Sequence, residues 1–183
     1  MRWVTRGRTS PPSGNPITWE LRQTYDARTL APLGYHSTNS LGAYSSLRID
    51  GRSVRGERRT PRDSTLQKVD VTIDRPGYFA GASDLVPAAV GLKEGTVISA
   101  PVWSPQMEAA ETRVFSIRGI ATVQVEGSTI EAWKVDEHKV DGKLVATWYL
   151  LDRSPYMVYG EVPLPDGRTQ LITEVEVPHS SAQ

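Results

Sequence analysis

The chain has no cysteine among its 183 residues, which excludes disulfides, thiolate zinc sites, iron–sulfur clusters and cysteine nucleophiles together. It also lacks any run near the roughly eighteen apolar residues that a membrane-spanning helix requires. Hydrophobic content of 38% against 23% charge therefore describes a soluble, polar-leaning globular chain. The N-terminus, MRWVTRGRTSPPSGN, has no apolar core of a secretory signal, so export is not encoded in these residues. Nucleotide-binding and nucleophile-elbow motifs are missing as well: there is no G-x-G-x-x-G, G-x-x-x-x-G-K-[ST], G-x-S-x-G or S-x-x-K. The three histidines, His36, His138 and His179, never fall at the i, i+2 or i, i+4 spacing that places two imidazoles on one face. No metal, no cofactor and no catalytic residue is expected on these grounds.

The charge that is present is unevenly placed. Residues 1–62 hold eleven Arg against Glu20, Asp26, Asp50 and Glu57, a net of +7; the remainder holds ten cations against seventeen acids, a net of −7. Two such halves can neutralise one another across strand pairs. The densest stretch, LRIDGRSVRGERRTPR, carries Arg48, Arg52, Arg55, Arg58, Arg59 and Arg62. It has no aromatic ring on which a base could stack, so it reads as a solvated hairpin facing acidic neighbours and argues against nucleic acid.

Period-two alternation dominates the rest. In ITWELRQTYD, Ile17, Trp19, Leu21, Gln23 and Tyr25 alternate with polar residues, the signature of a strand with one buried face. YHSTNS, AYSSLRID, SVRGERR, KVDVTI and TVISAPVW follow. Beyond Glu111 the chain reads as a meander of five strands whose connectors include Glu126-Gly127, Asp141-Gly142 and Pro165-Asp166-Gly167. Acid–Gly pairs suit tight hairpins, whose central residues take positive φ. The helix candidate is SDLVPAAVGL, with Ser83 or Asp84 as cap and Gly91 as stop. The expected architecture is mainly β: a large curved antiparallel sheet or incomplete β-barrel of roughly ten strands with one short helix. A strand remnant and Pro/Gly/Ser linker occupy 1–16, a single β domain 17–178, and a tail 179–183.

Aromatic residues gather late in the chain. In TWYLLD, Trp148 and Leu150 face one way while Tyr149 and Leu151 face the other; in the next strand Met157 and Tyr159 share a face opposite Tyr156 and Val158. Rings at alternating positions on a curved sheet can form a core, or can line a cavity for an apolar ligand. Trp103, Trp133, Trp148, Tyr156, Met157 and Tyr159 are the expected ligand-lining set. Acids at Asp136, Glu137, Asp141 and Asp152 sit mostly at turns, and His138 with Asp136 or Glu137 would be the basis of a hydrolase, the weakest of three readings. The other two are binding of a hydrophobic small molecule or lipid, and a structural or protein-interaction module with a filled core.

GLKEGTVISAPVW followed by EGSTIEAWKVDEHKVDGKLVATWYLLDRSPYMVYGEV resembles a bacterial exported domain family of unknown function. Its pattern is a short helix, a Leu-x-x-Gly entry into a strand, a small-Ala-Trp-Lys-Val strand, a hairpin, and Trp-Tyr followed by Pro-Tyr-x-Val. The resemblance spans about residues 65–177. It implies a fold similar to the LolA/LolB-type lipoprotein carriers, an incomplete β-barrel plugged by helices around a lipid-sized cavity, and a periplasmic or cell-envelope location. It implies no established activity.

Overall fold

The computed structural model describes residues 2–9, 15–26, 28–29, 31–79, 85–104, 109–125, 127–153, 157–164 and 166–172. Within them the protein is mainly β, with thirteen strands and one helix. Six strands form the first sheet: β1 (Arg2–Thr9), β2 (Ile17–Tyr25), β3 (Pro32–Asn39), β4 (Tyr44–Asp50), β5 (Ser53–Thr60) and β6 (Asp63–Thr72). Each pairs antiparallel with its sequence neighbour, so the sheet is an uninterrupted meander. Asp50-Gly51, a further acid–Gly pair of the kind that suits tight hairpins, joins β4 to β5: Asp50 pairs with Ser53, and Gly51 takes φ of 57° between them. RWVTR extends to Thr9 and pairs with β2 along all eight residues.

The second sheet curls into a half-barrel of seven strands. These are β7 (Tyr78–Phe79), β8 (Val97–Trp103), β9 (Glu111–Val125), β10 (Ser128–Lys139), β11 (Leu144–Leu150), β12 (Met157–Pro163) and β13 (Thr169–Ile172). β8 to β13 form a second antiparallel meander, while β7 pairs parallel with β8. A parallel pair needs a crossover, and helix α1 (Leu85–Val90) supplies it. Gly91 follows at φ of 105°, its amide donating to the Pro87 carbonyl at 3.1 Å, which ends the helix. Ser83 and Asp84, the expected caps, lie outside the described residues.

Period-two burial builds two apolar clusters. On β2, Leu21, Gln23 and Tyr25 point inward, as the alternation requires. The first cluster joins Tyr25, Leu47, Ile49 and Val54 of the six-stranded sheet to Ile73, Phe79, Leu85, Trp103 and Ala110. The second lies within the half-barrel: Val86, Ala100, Val102, Phe115, Ile117, Val135, Leu150 and Met157. The helix stands between them, Leu85 in one cluster and Val86 in the other. Phe79 ties the sheets together, its ring lying 4.9 Å from that of Tyr35, 6.1 Å from Tyr25 and 6.3 Å from Trp103.

Candidate functional site: a filled inner face and an open outer face

The six residues expected to line one cavity do not come together. Trp133 and Trp148 are half-buried on the inner face of the half-barrel, packed against its cluster, and Met157 is a buried member of that cluster. Trp103 belongs to the other cluster, 3% exposed. Tyr159 lies on the opposite side of the sheet, its ring 5.5 Å from that of Tyr149, with which it pairs across the strands. Tyr156 lies outside the described residues.

Met157 corrects the alternation argument. Strict period two places it with Tyr159. Instead, Tyr149 pairs with Tyr159 while Leu150 pairs with Met157, so one extra residue is accommodated in β12. Such a bulge turns the next side chain to the other face, and Met157 joins Leu150 and Val135. A second irregularity pairs Lys134 with Gly119 but Val135 with Ile117, bending the long β9–β10 hairpin. On the same inner face the Trp148 ring lies over Gly160, where an added Cβ would come within 2.7 Å of Cε3 and Cζ3.

Charge also enters this inner face. Glu137 is 3% exposed and accepts a 2.8 Å hydrogen bond from Trp148 Nε1. Arg113, 8% exposed, places Nε 3.8 Å from Glu137 Oε1 and Nη2 2.9 Å from Glu111 Oε2; Lys139 Nζ approaches the same Glu111 oxygen at 3.1 Å. Arg113 stands directly opposite Lys139, and the Glu111 carboxylate bridges these two like charges. Arg113 Nε and Nη1 have no hydrogen-bond partner. Sequence reading placed Glu137 among turn acids; its burial follows from sharing parity with Trp133 and Val135.

The hydrolase arrangement does not assemble from Glu137 and His138, which adjoin in sequence and therefore project to opposite faces of β10. Asp136 shares the His138 face, but its carboxylate is engaged by Arg118 Nε at 2.8 Å and by Thr147 Oγ1 at 3.1 Å. His36 meets the Tyr44 ring edge-on at 5.5 Å. His179 lies outside the described residues. Among the described residues no three His, Asp or Glu side chains gather as metal ligands.

Open space lies on the outer face of the six-stranded sheet. One hollow of about 420 Å³ is lined by Tyr44, Ser46, Arg55, Glu57, Lys68 and Asp70, and a second of about 370 Å³ by Arg22, Thr24, Gly34, His36 and Ser46, together with parts of neighbouring inward-facing residues. They share Ser46. This face carries the cations Arg22, Arg48, Arg55, Arg59 and Lys68 against Glu20, Asp50, Glu57 and Asp70. Arg22 Nε is bonded to Glu20, Arg55 Nε reaches Asp70 at 3.3 Å, and Arg59 Nε donates to the Gly42 carbonyl at 3.0 Å.

In the hairpin expected to face acidic neighbours, Arg55 stands opposite Asp70 on β6, and Arg48 differs. It does not face an acid: it sits opposite Arg55 on one side and Gly34 on the other. The signal was available, because the Asp50-Gly51 hairpin fixes Asp50 opposite Ser53 and so Arg48 opposite Arg55.

No family model, no curated protein and no solved structure matches the chain. Among the described residues no helix is long and apolar enough to cross a membrane.

Proposed function

We propose that the protein is a non-enzymatic β module that works by binding or scaffolding, with its half-barrel serving as a filled core. The observation that carries this reading is the packing of the inner face: Val86 of α1 lies against Val102, Phe115, Val135, Leu150 and Met157, where a lipid carrier would need space. The resemblance to exported bacterial domains supports a place in the cell envelope. Titration with a fluorescent fatty acid, alongside native mass spectrometry of the purified protein, tests it. The expected result is unchanged tryptophan emission and a bare protein mass; a co-purifying lipid overturns it.

A second reading, an apolar or lipid-like ligand on the inner face, is favoured by one feature. Arg113 faces the Glu137 carboxylate to which Trp148 donates, and its Nε and Nη1 have no hydrogen-bond partner; a buried donor without a partner carries a desolvation penalty that an acidic headgroup would relieve. The same titration decides between the two, since binding there shifts tryptophan emission and Arg113→Ala abolishes the shift.

A further inference from the structure

We infer that the outer face of the six-stranded sheet binds an acidic polysaccharide, its carboxylates held by Arg48, Arg55 and Lys68 and its hydroxyls by the polar side chains between them. The inference rests on reading the chain as a binding module and names that module's surface and ligand class.

Three observations carry it. First, Arg48 and Arg55 are directly opposed across β4 and β5. Like charges in that position destabilise a sheet, and Arg48 has no ion-pair partner among the described residues. Gly34 on its other flank offers no side chain at all. An anion lying over the pair would remove the repulsion. Second, the two hollows meet at Ser46 and together run from Arg22 on β2 to Lys68 on β6. Adjacent strands lie about 4.8 Å apart, so this trough spans on the order of 20 Å, enough for an extended chain rather than a single ion. Third, the trough mixes its chemistry. Glu57 stands between Ser46 on β4 and Lys68 on β6, and Asp70 sits opposite Arg55.

That mixture selects among anions. A DNA strand has no hydroxyls along its backbone for Glu57 and Asp70 to accept from; of the two tyrosines lining the trough, Tyr44 is against His36 and Tyr35 packs on Phe79, leaving no row of rings for bases. A uronic-acid polymer has one carboxylate per sugar and several hydroxyls. Its carboxylates suit the guanidinium forks, and its hydroxyls can donate to Glu57 and Asp70.

The test is titration of the whole protein with polygalacturonic acid oligomers, with neutral dextran and single-stranded DNA as comparators. The expected result is salt-sensitive binding of the uronate oligomers and none of dextran. Arg48→Glu combined with Lys68→Glu should weaken that binding by roughly tenfold or more, as charge-assisted bonds of this kind imply. Lys143→Glu, an exposed turn residue of the other sheet, should leave it unchanged. Lys68→Gln serves if the double variant does not fold. The inference is overturned by absent uronate binding, by dextran binding equally, by DNA binding more tightly, or by Lys143→Glu acting as strongly as the double variant. Lipid capture on the inner face would refute the filled-core reading without touching this one.

Discussion

The two sheets use the same meander to opposite ends. Residues 2–72, the six-stranded sheet, hold twelve cations against six acids, whereas residues 78–172 hold eight against twelve. In the half-barrel, charge is drawn inward: Glu137 and Arg113 are buried against Trp148 and Glu111. In the six-stranded sheet the inner face is given to Tyr25, Leu47, Ile49 and Val54, and charge stays on an open outer face with the hollows. Burial of paired ions constrains a core, while exposed ion pairs such as Arg55–Asp70 are weak and can exchange partners. The half-barrel thus buries its charge among apolar side chains, and the six-stranded sheet leaves its charge at the surface.

The largest expected effect comes from cutting the joint between them. Phe79 is fully buried and touches rings from both sheets. Phe79→Ala should cost about 3–5 kcal/mol. If the sheets form one cooperative unit, denaturant unfolding of the variant stays a single transition at lower midpoint; two separated transitions would show that each sheet holds itself together.

Next is the buried ionic set of the half-barrel. Glu137→Gln removes the more buried of the two carboxylates beside Arg113, leaving Glu111 as the only counter-charge to a guanidinium that is 8% exposed. The loss should be roughly 3 kcal/mol, with red-shifted tryptophan emission as Trp148 changes its hydrogen-bond partner. The corresponding exchange on the open sheet, Glu57→Gln, should change stability by less than about 0.5 kcal/mol. Equal losses at both positions would contradict the contrast between the sheets.

Glycine offers a smaller probe in each sheet. Gly56 takes φ of 150°, and an added Cβ would lie 2.0 Å from the Ser46 carbonyl oxygen, so Gly56→Ala must displace backbone. Gly160→Ala meets only the Trp148 ring, which can tilt. Both should cost about 1–3 kcal/mol, Gly56 toward the upper end; only Gly160→Ala should alter tryptophan emission. Gly34→Ala, with nothing nearer than 3.6 Å, should be close to neutral in stability and narrow the second hollow.

How far these features were legible in the sequence follows from their range. Strands such as Ile17–Tyr25 and Val97–Trp103 announce themselves because alternation and turn chemistry are local. The division into two sheets is not local: nothing in TPRDS distinguishes a hairpin turn within a sheet from a boundary between sheets, and the break comes later, where Tyr78–Phe79 turns parallel to β8. Met157 was misplaced because a bulge depends on the partner strand. The parity of Glu137 with Trp133 and Val135 is local, but the hydrogen bond that makes its burial tolerable comes from Trp148, eleven residues away. The trough was missed for the same reason, being assembled from five strands, although the Arg48–Arg55 opposition needed only the hairpin register.

The smallest effect separates the sheets by their tyrosines. Tyr35, beside the first cluster, has its phenol pushed above the ordinary value of 10.0 by burial. Tyr149 and Tyr159, on the outer side of the half-barrel, are raised by burial first and then by the negative charge of Glu161. A folded-state value above the unfolded one means that the native protein holds these protons more tightly. The associated stability is therefore intact below about pH 10 and is lost as pH rises through the folded values. Glu161→Gln should move part of the phenolate absorbance titration back toward 10.0 by releasing Tyr149 and Tyr159, while the Tyr35 component stays where it was. A titration that shifts as a whole, or not at all, would mean that Glu161 does not act on that pair alone.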